Sequence, residues 1–493
     1  MVARNCGESL TSARPRPKMT RHPLALRLVL VFLALAPDAD ACTIGVFSPS
    51  VTSDHRSILW KNRDNDCPDQ EMTYYTGPRF RFVTVIDVGN TKEAWAGVNE
   101  AGFAIVDANS LNLPGGADED DDGQIMFAAL GSCSTVEDFA QMLDSLNTAG
   151  RSTPVNFCAM DSTGAASIFE ASDTFYARFD IADETLGFMV RANYSLSGGV
   201  FNRLGRNRFR RAMQLGINAL AGDSINARFI IRRLARDLGQ VGFYPYPLPF
   251  DSAVGDLPHG YLSTDSTICR FRTRSVQVIV GPEPGGSQRQ AVLWTMLGPG
   301  EAALPIPVWV VAESMPELLN GPSRSALCDK ALSIHECLHP DQGHIRAINS
   351  FRLAEMYDSF APVESAIFAM VESCESVWGL AGPDPAQACS VTAAACRMVM
   401  KAYLRFEHYT HWSAAPTEPA PSDSDPQITA GGSPVSAAPA SIRVPVFDAL
   451  GRRVAYAVVA LDKPAEPPAG LRSGTYFMAL APGTRPVRLN VIH

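Results

Sequence analysis

Residues 19–41 read MTRHPLALRLVLVFLALAPDADA: Arg21 and Arg27 precede an apolar run over 28–36, Pro37 breaks it, and Ala39-Asp40-Ala41 ends it on small residues. That succession of basic, apolar and small-residue regions is the pattern of a secretory signal peptide cleaved after Ala41. The apolar run is too short to serve as a membrane-spanning anchor. Residues 1–18 are basic and patternless, so either Met19 is the start or they extend the basic region. Cleavage leaves Cys42 as the first residue of the exported chain. A lipid-anchored cysteine calls for a large aliphatic residue where Ala39 stands, so a free α-amine on a thiol-bearing residue is the expected product. An α-amine with a pKa of about 8 and a thiol of about 8.5 exchange a proton at little cost near neutral pH. One residue then supplies both a nucleophile and its base.

Of the 493 residues, 46% are hydrophobic and 19% charged, which provides for a large packed core and excludes global disorder. The net charge of −9 gives no electrostatic case for nucleic acid or an anionic membrane surface. All but Cys6 of the 11 cysteines lie from Cys42 onward. In an exported chain, the group Cys328, Cys337, Cys374, Cys389 and Cys396 is expected to hold two disulfides, with connectivity left open.

From Cys42 to about residue 315, short β-rich runs alternate with turns, as at 82–87, 103–106, 166–171, 275–281 and 291–297. Helical patterns interrupt them at 135–145, which opens on a Thr cap, and at 226–238. Residues 42–315 are therefore expected to form an α+β core. Residues 316–412 read as a helical extension, with helices at 345–359 and 385–406 and with Pro362 and Pro383 as punctuation. Residues 413–441, rich in Pro, Ala and Ser, form a linker. Residues 442–493 read as four strands of a small C-terminal β-sandwich.

Four segments carry the chemistry. Lys61-Asn62-Arg63-Asp64 follows the β-run SILW. Asn99-Glu100-Ala101-Gly102-Phe103 is a turn feeding a strand that ends at Asn109. Ala192-Asn193 follows another strand, and Arg208-Phe209-Arg210-Arg211 comes next. Together with Cys42-Thr43, and in this order, they resemble the linear-amide branch of the N-terminal nucleophile (Ntn) hydrolases, which includes the choloylglycine hydrolases, the acid ceramidase-like N-acylethanolamine amidases and the acyl-CoA:6-aminopenicillanate acyltransferases. That branch opens on Cys-Thr, continues with [Arg/Gln]-Asn-x-Asp and Asn-Glu-x-Gly-Leu, reaches a catalytic asparagine ten residues on, and ends on Thr-Asn and Arg-[Phe/Tyr]-x-Arg. The resemblance spans roughly residues 42–310 and implies a four-layer αββα core. It also implies roles: Cys42 as nucleophile with its own α-amine as base, Asp64 orienting that amine, Asn109 and Asn193 donating to the oxyanion, and Arg208 completing the network. Lys61 stands where the bile-salt branch has Arg; it is retained as a site candidate. The implied substrate is a small-molecule linear amide, with no metal or cofactor and no nucleic acid. A dipeptidase on the same scaffold, or a surface-displayed binding protein with an inert Cys42, are the rival expectations. The tail segments VFDALGRRVA and LRSGTYFMAL resemble C-terminal sorting domains of the type IX secretion system, which implies contact with secretion machinery and a secreted or cell-surface location.

His335-Glu336-Cys337-Leu338-His339 matches the zinc pattern H-E-x-x-H. Pro340 follows at once, and Cys337 is a candidate disulfide partner for Cys328, so the motif is expected to be a capped, disulfide-tied helix end; His344 misses the spacing of a third ligand. The acidic run 118–122 lacks the spacing of a calcium loop. Arg203, Arg206, Arg210 and Arg211 are expected to be surface charges or ion pairs, His408 and His411 packing or capping residues, and Asn99 and Glu100 a structural turn.

Overall fold

The computed structural model describes residues 42–115, 121–322, 324–340 and 346–407, together with the strands Ser441–Asp448, Arg453–Ala460, Gly474–Met478 and Val487–Val491. The signal peptide, the linker, most of the acidic run 118–122, His344, His408 and His411 lie outside the described residues. From Cys42 the chain forms β1 (Thr43–Phe47), β2 (Ile58–Asp64), β3 (Gln70–Thr76), β4 (Arg81–Asp87), β5 (Ala96–Asn99) and β6 (Ala104–Asn109). Helices α1 (Asp122–Ser132) and α2 (Val136–Ala149) follow, then β7 (Val155–Met160), β8 (Ala166–Ala171), β9 (Tyr176–Asp180) and β10 (Phe188–Arg191). Next come α3 (Arg206–Leu220), β11 (Tyr261–Ser263), β12 (Thr273–Val280), β13 (Val292–Leu297), β14 (Ile306–Val308), α4 (Ala326–Leu338), β15 (Ala347–Asn349), α5 (Ser350–Trp378) and α6 (Pro385–Glu407).

Strands β3 to β9 form a seven-stranded antiparallel meander, and a six-stranded antiparallel sheet has the order β10-β1-β2-β12-β13-β14. Alternation along the meander divides its side chains between two cores. Phe82, Ile105, Phe157 and Phe169 pack with Phe139, Leu130 and Met126 of α1 and α2. Val83, Val106, Cys158 and Ile168 instead join the core that contains the six-stranded sheet. The two sheets face each other through β1 and β2 against β6 and β7. On the far side of the six-stranded sheet lie α3, the helical segment 227–234, α4 and α6. The result is a layered α+β structure in the order helix, sheet, sheet, helix, as expected from the sequence. The 316–412 helices contribute Leu327, Ile334, Met356, Phe360 and Tyr403 to the same core as the six-stranded sheet.

Local sequence accounts for the elements and for their corrections. Thr135 caps α2 in a reciprocal box with Asp138. Pro362, expected to end a helix, lies inside α5. Its missing N–H leaves the carbonyl of Asp358, an exposed residue, without its helical donor. Burial of Leu353, Met356, Phe360, Ile367 and Phe368 on the opposite face outweighs that loss of about 3 kcal/mol. The expected disulfides are overturned: no disulfide joins any two of the described cysteines. Cys328 and Cys337 share α4, where nine residues of rise separate them by about 13 Å, beyond the roughly 7 Å limit of a disulfide. Cys389 meets Ser314 Oγ and the Ala312 carbonyl instead. The four tail strands expected from the sequence pair as one antiparallel sheet of order β17-β16-β18-β19, counted on from β15; a second layer is not among the described residues.

Phe139 is fully buried and meets Phe157 and Phe169 edge to face, so it holds α2 on the meander. Phe139→Ala is expected to cost about 3–5 kcal/mol, against about 1 kcal/mol for Thr135→Ala, read as the shift in urea unfolding midpoint.

Candidate active site

The β1–β2 hairpin register sets Thr43 opposite Asn62 and Ile44 opposite Lys61, which brings Cys42 to the end of β2. The Cys42 Sγ lies 3.9 Å from the Asp64 carbonyl, and the residue is only 8% exposed. Strand alternation sends neighbours on β2 in opposite directions. Asn62 donates to the Ala235 and Ile268 carbonyls on the helix side. Lys61 and Arg63 reach across to the meander, meeting Asp107 and Asp87.

Arg208 enters from the first turn of α3, buried to within 3%. Its Nη1 donates to the Cys42 carbonyl at 2.5 Å and to Thr43 Oγ1 at 2.7 Å, and its Nη2 donates to Asn193 Oδ1 at 2.7 Å. Gly205, at φ +80°, makes the approach possible: a Cβ there would stand 2.6 Å from Arg208 Nη2 and 2.7 Å from Ala192 Cβ. Asn193 in turn donates Nδ2–H to the Asn109 carbonyl at 3.2 Å. Asn156 steadies this end of β10 by donating to the Ala192 and Tyr194 carbonyls, and the Arg191–Glu170 pair buries beside it. One guanidinium thus links Cys42, Thr43 and Asn193, and through Asn193 the backbone of Asn109.

Asp64 is buried and accepts from Thr273 Oγ1 at 2.6 Å and from Arg270 Nη1 at 3.4 Å. Burial pushes its carboxyl above the usual range, while Arg270, Arg208 and the Thr273 hydrogen bond hold it back. Burial also lowers Arg208 to about 10, with Asp64 opposing, so the guanidinium stays cationic at neutral pH. The Cys42 thiol is pushed up to about 11, chiefly by burial, with the Lys61 ammonium pulling it down and Asp107 and Asp64 pushing it up. With Cys42 joined to Ala41 its nitrogen is an amide and no base, and the thiol stays protonated at neutral pH.

Lys61 Nζ donates to the Trp95 carbonyl at 2.8 Å and to Asp107 at 2.5 Å, with both ionic side chains almost fully buried. It acts on the thiol as a neighbouring charge while bracing one sheet on the other. Asn99 ties its turn to the Leu130 and Cys133 carbonyls, and Glu100 pairs with Arg81 near the surface, so both are structural. Arg211 pairs with Asp237 in the interior. Thr43, Arg270 and Thr273 belong to the network although sequence reasoning passed over them. The Thr273–Asp64 contact depends on β12 pairing with β2, where these two residues are opposed, and no local pattern reveals that pairing.

No protein-family profile matches the chain, and no curated protein is significantly similar to it. Among solved structures, it is similar to a conjugated bile acid hydrolase mutant from Clostridium perfringens at 12% identity and TM-score 0.32, over 52% of this chain and 89% of that one. The penicillin V acylase from Agrobacterium tumefaciens matches at 15% identity and TM-score 0.32, over 54% and 85%. A Caenorhabditis elegans ortholog of N-acylethanolamine-hydrolyzing acid amidase matches at 12% identity and TM-score 0.33, over 52% and 100%.

Lys61→Met leaves Asp107 buried without its cation and is expected to cost about 3–5 kcal/mol in unfolding free energy; Lys61→Met with Asp107→Leu should recover most of it. In the chain that retains Ala41, iodoacetamide labelling of Cys42, followed by peptide mass, should rise with pH up to about 11, because the thiolate forms only there.

Proposed function

We propose that the chain is an exported cysteine amidase in which Cys42, once freed at its α-amine, attacks a linear, non-peptide N-acyl amide. The observation that carries this reading is the Arg208 guanidinium, buried between the Cys42 carbonyl, Thr43 and Asn193. A cation held there keeps the Cys42 backbone and the Asn193 amide in one fixed relation. In the proposed reaction the α-amine takes the thiol proton, and Sγ adds to the substrate carbonyl. Asn193 and Asn109 donate to the oxyanion as charge develops. Collapse expels the amine, which leaves with the proton, and water or a second amine takes the acyl group from sulfur. Asp64, held by Thr273 and Arg270, supplies the negative charge that orients the ammonium. The exposed Val200 and Phe201, in the loop between Asn193 and Arg208, offer an apolar surface to an acyl chain. The signal-peptide pattern and the sorting-domain resemblance of the tail support export and cell-surface display through secretion machinery.

The test is the N-terminal sequence of the exported protein together with turnover of a panel of N-acyl amides and dipeptides. Cys42 at the N-terminus, hydrolysis of N-acyl amides, loss of activity in Cys42→Ala and a fall of about 10² to 10³ in kcat in Asn193→Ala are expected. Full activity in Cys42→Ala, or an active protein whose N-terminus lies elsewhere, overturns the reading. Turnover confined to dipeptides replaces the substrate class and leaves the nucleophile in place.

A further inference from the structure

The H-E-x-x-H segment lies at the end of α4, where no disulfide ties it. His335 and His339 lie one turn apart with ring centroids 4.3 Å from each other and ring planes tilted by 44°. The loop after β13 brings Glu301 against both, and all three side chains are buried. One ligand-capable atom from each lies within 4.8 Å of the others. The His339 Nδ1 is 3.1 Å from the Ala347 carbonyl, which can only accept, so Nδ1 donates there and Nε2 is the nitrogen left to meet a ligand. That Nε2 is 3.9 Å from Glu301 Oε1. His335 holds Nδ1 on the same Glu301 oxygen, and its Nε2 is buried with no hydrogen-bond partner among the described residues. A buried polar nitrogen for which the protein supplies nothing calls for a partner. Two imidazoles whose Nδ1–H groups are fixed on oxygen acceptors are arranged as metal-binding histidines are.

The surroundings fit a cation with an open face. Glu301 is a buried carboxylate whose Oε1 faces both imidazoles. Its second oxygen accepts from Cys269 Sγ at 3.2 Å. The Phe271 ring covers both imidazoles at 4.9 and 5.1 Å. A cleft of about 470 Å³, lined by Phe271, Arg274, Leu332 and Glu336, opens beside the histidines. Glu336 is the glutamate of the motif and is exposed to that cleft. Arg274, which lines the cleft, is tied to the Asn65 carbonyl at 3.1 Å.

We propose that His335, His339 and Glu301 form a binding site for a divalent transition-metal ion of the zinc type, with open coordination facing the cleft. Two imidazoles and a carboxylate are a borderline donor set that suits Zn²⁺ over Mg²⁺ or Ca²⁺. Ligand atoms around tetrahedral zinc stand about 3.3 Å apart, so the present cluster needs only small side-chain movements. Glu301 acts either on the ion directly or through Nδ1 of His335. The site lies behind the Asp64 network: residues 269–273 run from Cys269, on Glu301, through Phe271, on the histidines, to Arg270 and Thr273, on Asp64. A bound ion would fasten α4 to that segment. The inference is independent of the chemistry proposed for Cys42.

The experiment uses the full exported chain, stripped with a chelator and then loaded with ZnCl2 or CoCl2. One Zn²⁺ per chain retained through gel filtration, a rise in Tm on loading and the intense visible absorption of tetrahedral Co²⁺ are expected. His335→Gln and His339→Gln should abolish retention. Glu301→Gln should weaken binding by at least about 10-fold, the lower bound for a group acting through a ligand. Glu336→Gln should retain the ion. A stripped protein that takes up no Zn²⁺, equal uptake by the histidine variants, or a weak octahedral Co²⁺ spectrum overturns the proposal. Should the histidine variants fail to fold, the Co²⁺ spectrum and Tm shift of the unmutated chain decide. None of these readouts depends on amide turnover, so failure of the amidase reading leaves them interpretable.

Discussion

The buried guanidinium of Arg208 is the contact on which the site depends. A cation withdrawn from water is costly unless its donors are met and an opposite charge is near. Here the Cys42 carbonyl, the Thr43 hydroxyl and the Asn193 amide oxygen accept from it, and Asp64 supplies the charge. The partners come from three elements, the start of β1, the end of β2 and the turn after β10, and Arg208 reaches them from α3. Once Arg208 is seated, none of these elements can shift without leaving a buried charge exposed to an apolar interior. The site is therefore pre-organised by the same cost that would otherwise make it unstable.

Ionic pairs recur where layers meet. Lys61–Asp107 and Arg63–Asp87 join the two sheets, and Arg191–Glu170 does so near the edge. Arg211–Asp237 and Arg236–Glu364 fix the helical layer, the latter joining the 227–234 region to α5. Apolar packing alone would tolerate small slides between flat sheets. A paired buried charge tolerates none, because breaking it costs more than forming it contributed. For a site assembled across several elements, that difference converts a stable core into a specific one.

The Cys42 environment is two-sided. Burial and two carboxylates keep the thiol protonated while Lys61 favours the thiolate. In the proposed reaction this balance would change only when the bond before Cys42 is broken and its α-amine becomes a base.

Much of this was legible in the sequence. The β-rich runs placed the strands at 82–87, 166–171 and 291–297 within a residue or two, and the Thr135 cap marked the start of α2. The order of Cys42, Asp64, Asn109, Asn193 and Arg208 pointed to one cluster: Arg208 contacts Cys42 and Asn193, Asp64 lies near enough to act on its charge, and Asn109 is joined through its backbone carbonyl to Asn193. Local physics is enough for such features, since capping, alternation and motif order are properties of neighbouring residues. Pro362 misled because the helix through it is maintained by the core beneath. The expected disulfides failed because one helix carries both Cys328 and Cys337. Only the tertiary structure could bring Thr273 and Arg270 to Asp64, give Lys61 the partner Asp107, and place Glu301 against His335 and His339. Those contacts join residues far apart in the chain, and they are decided by which strands pair and which faces are buried, information that no single segment contains.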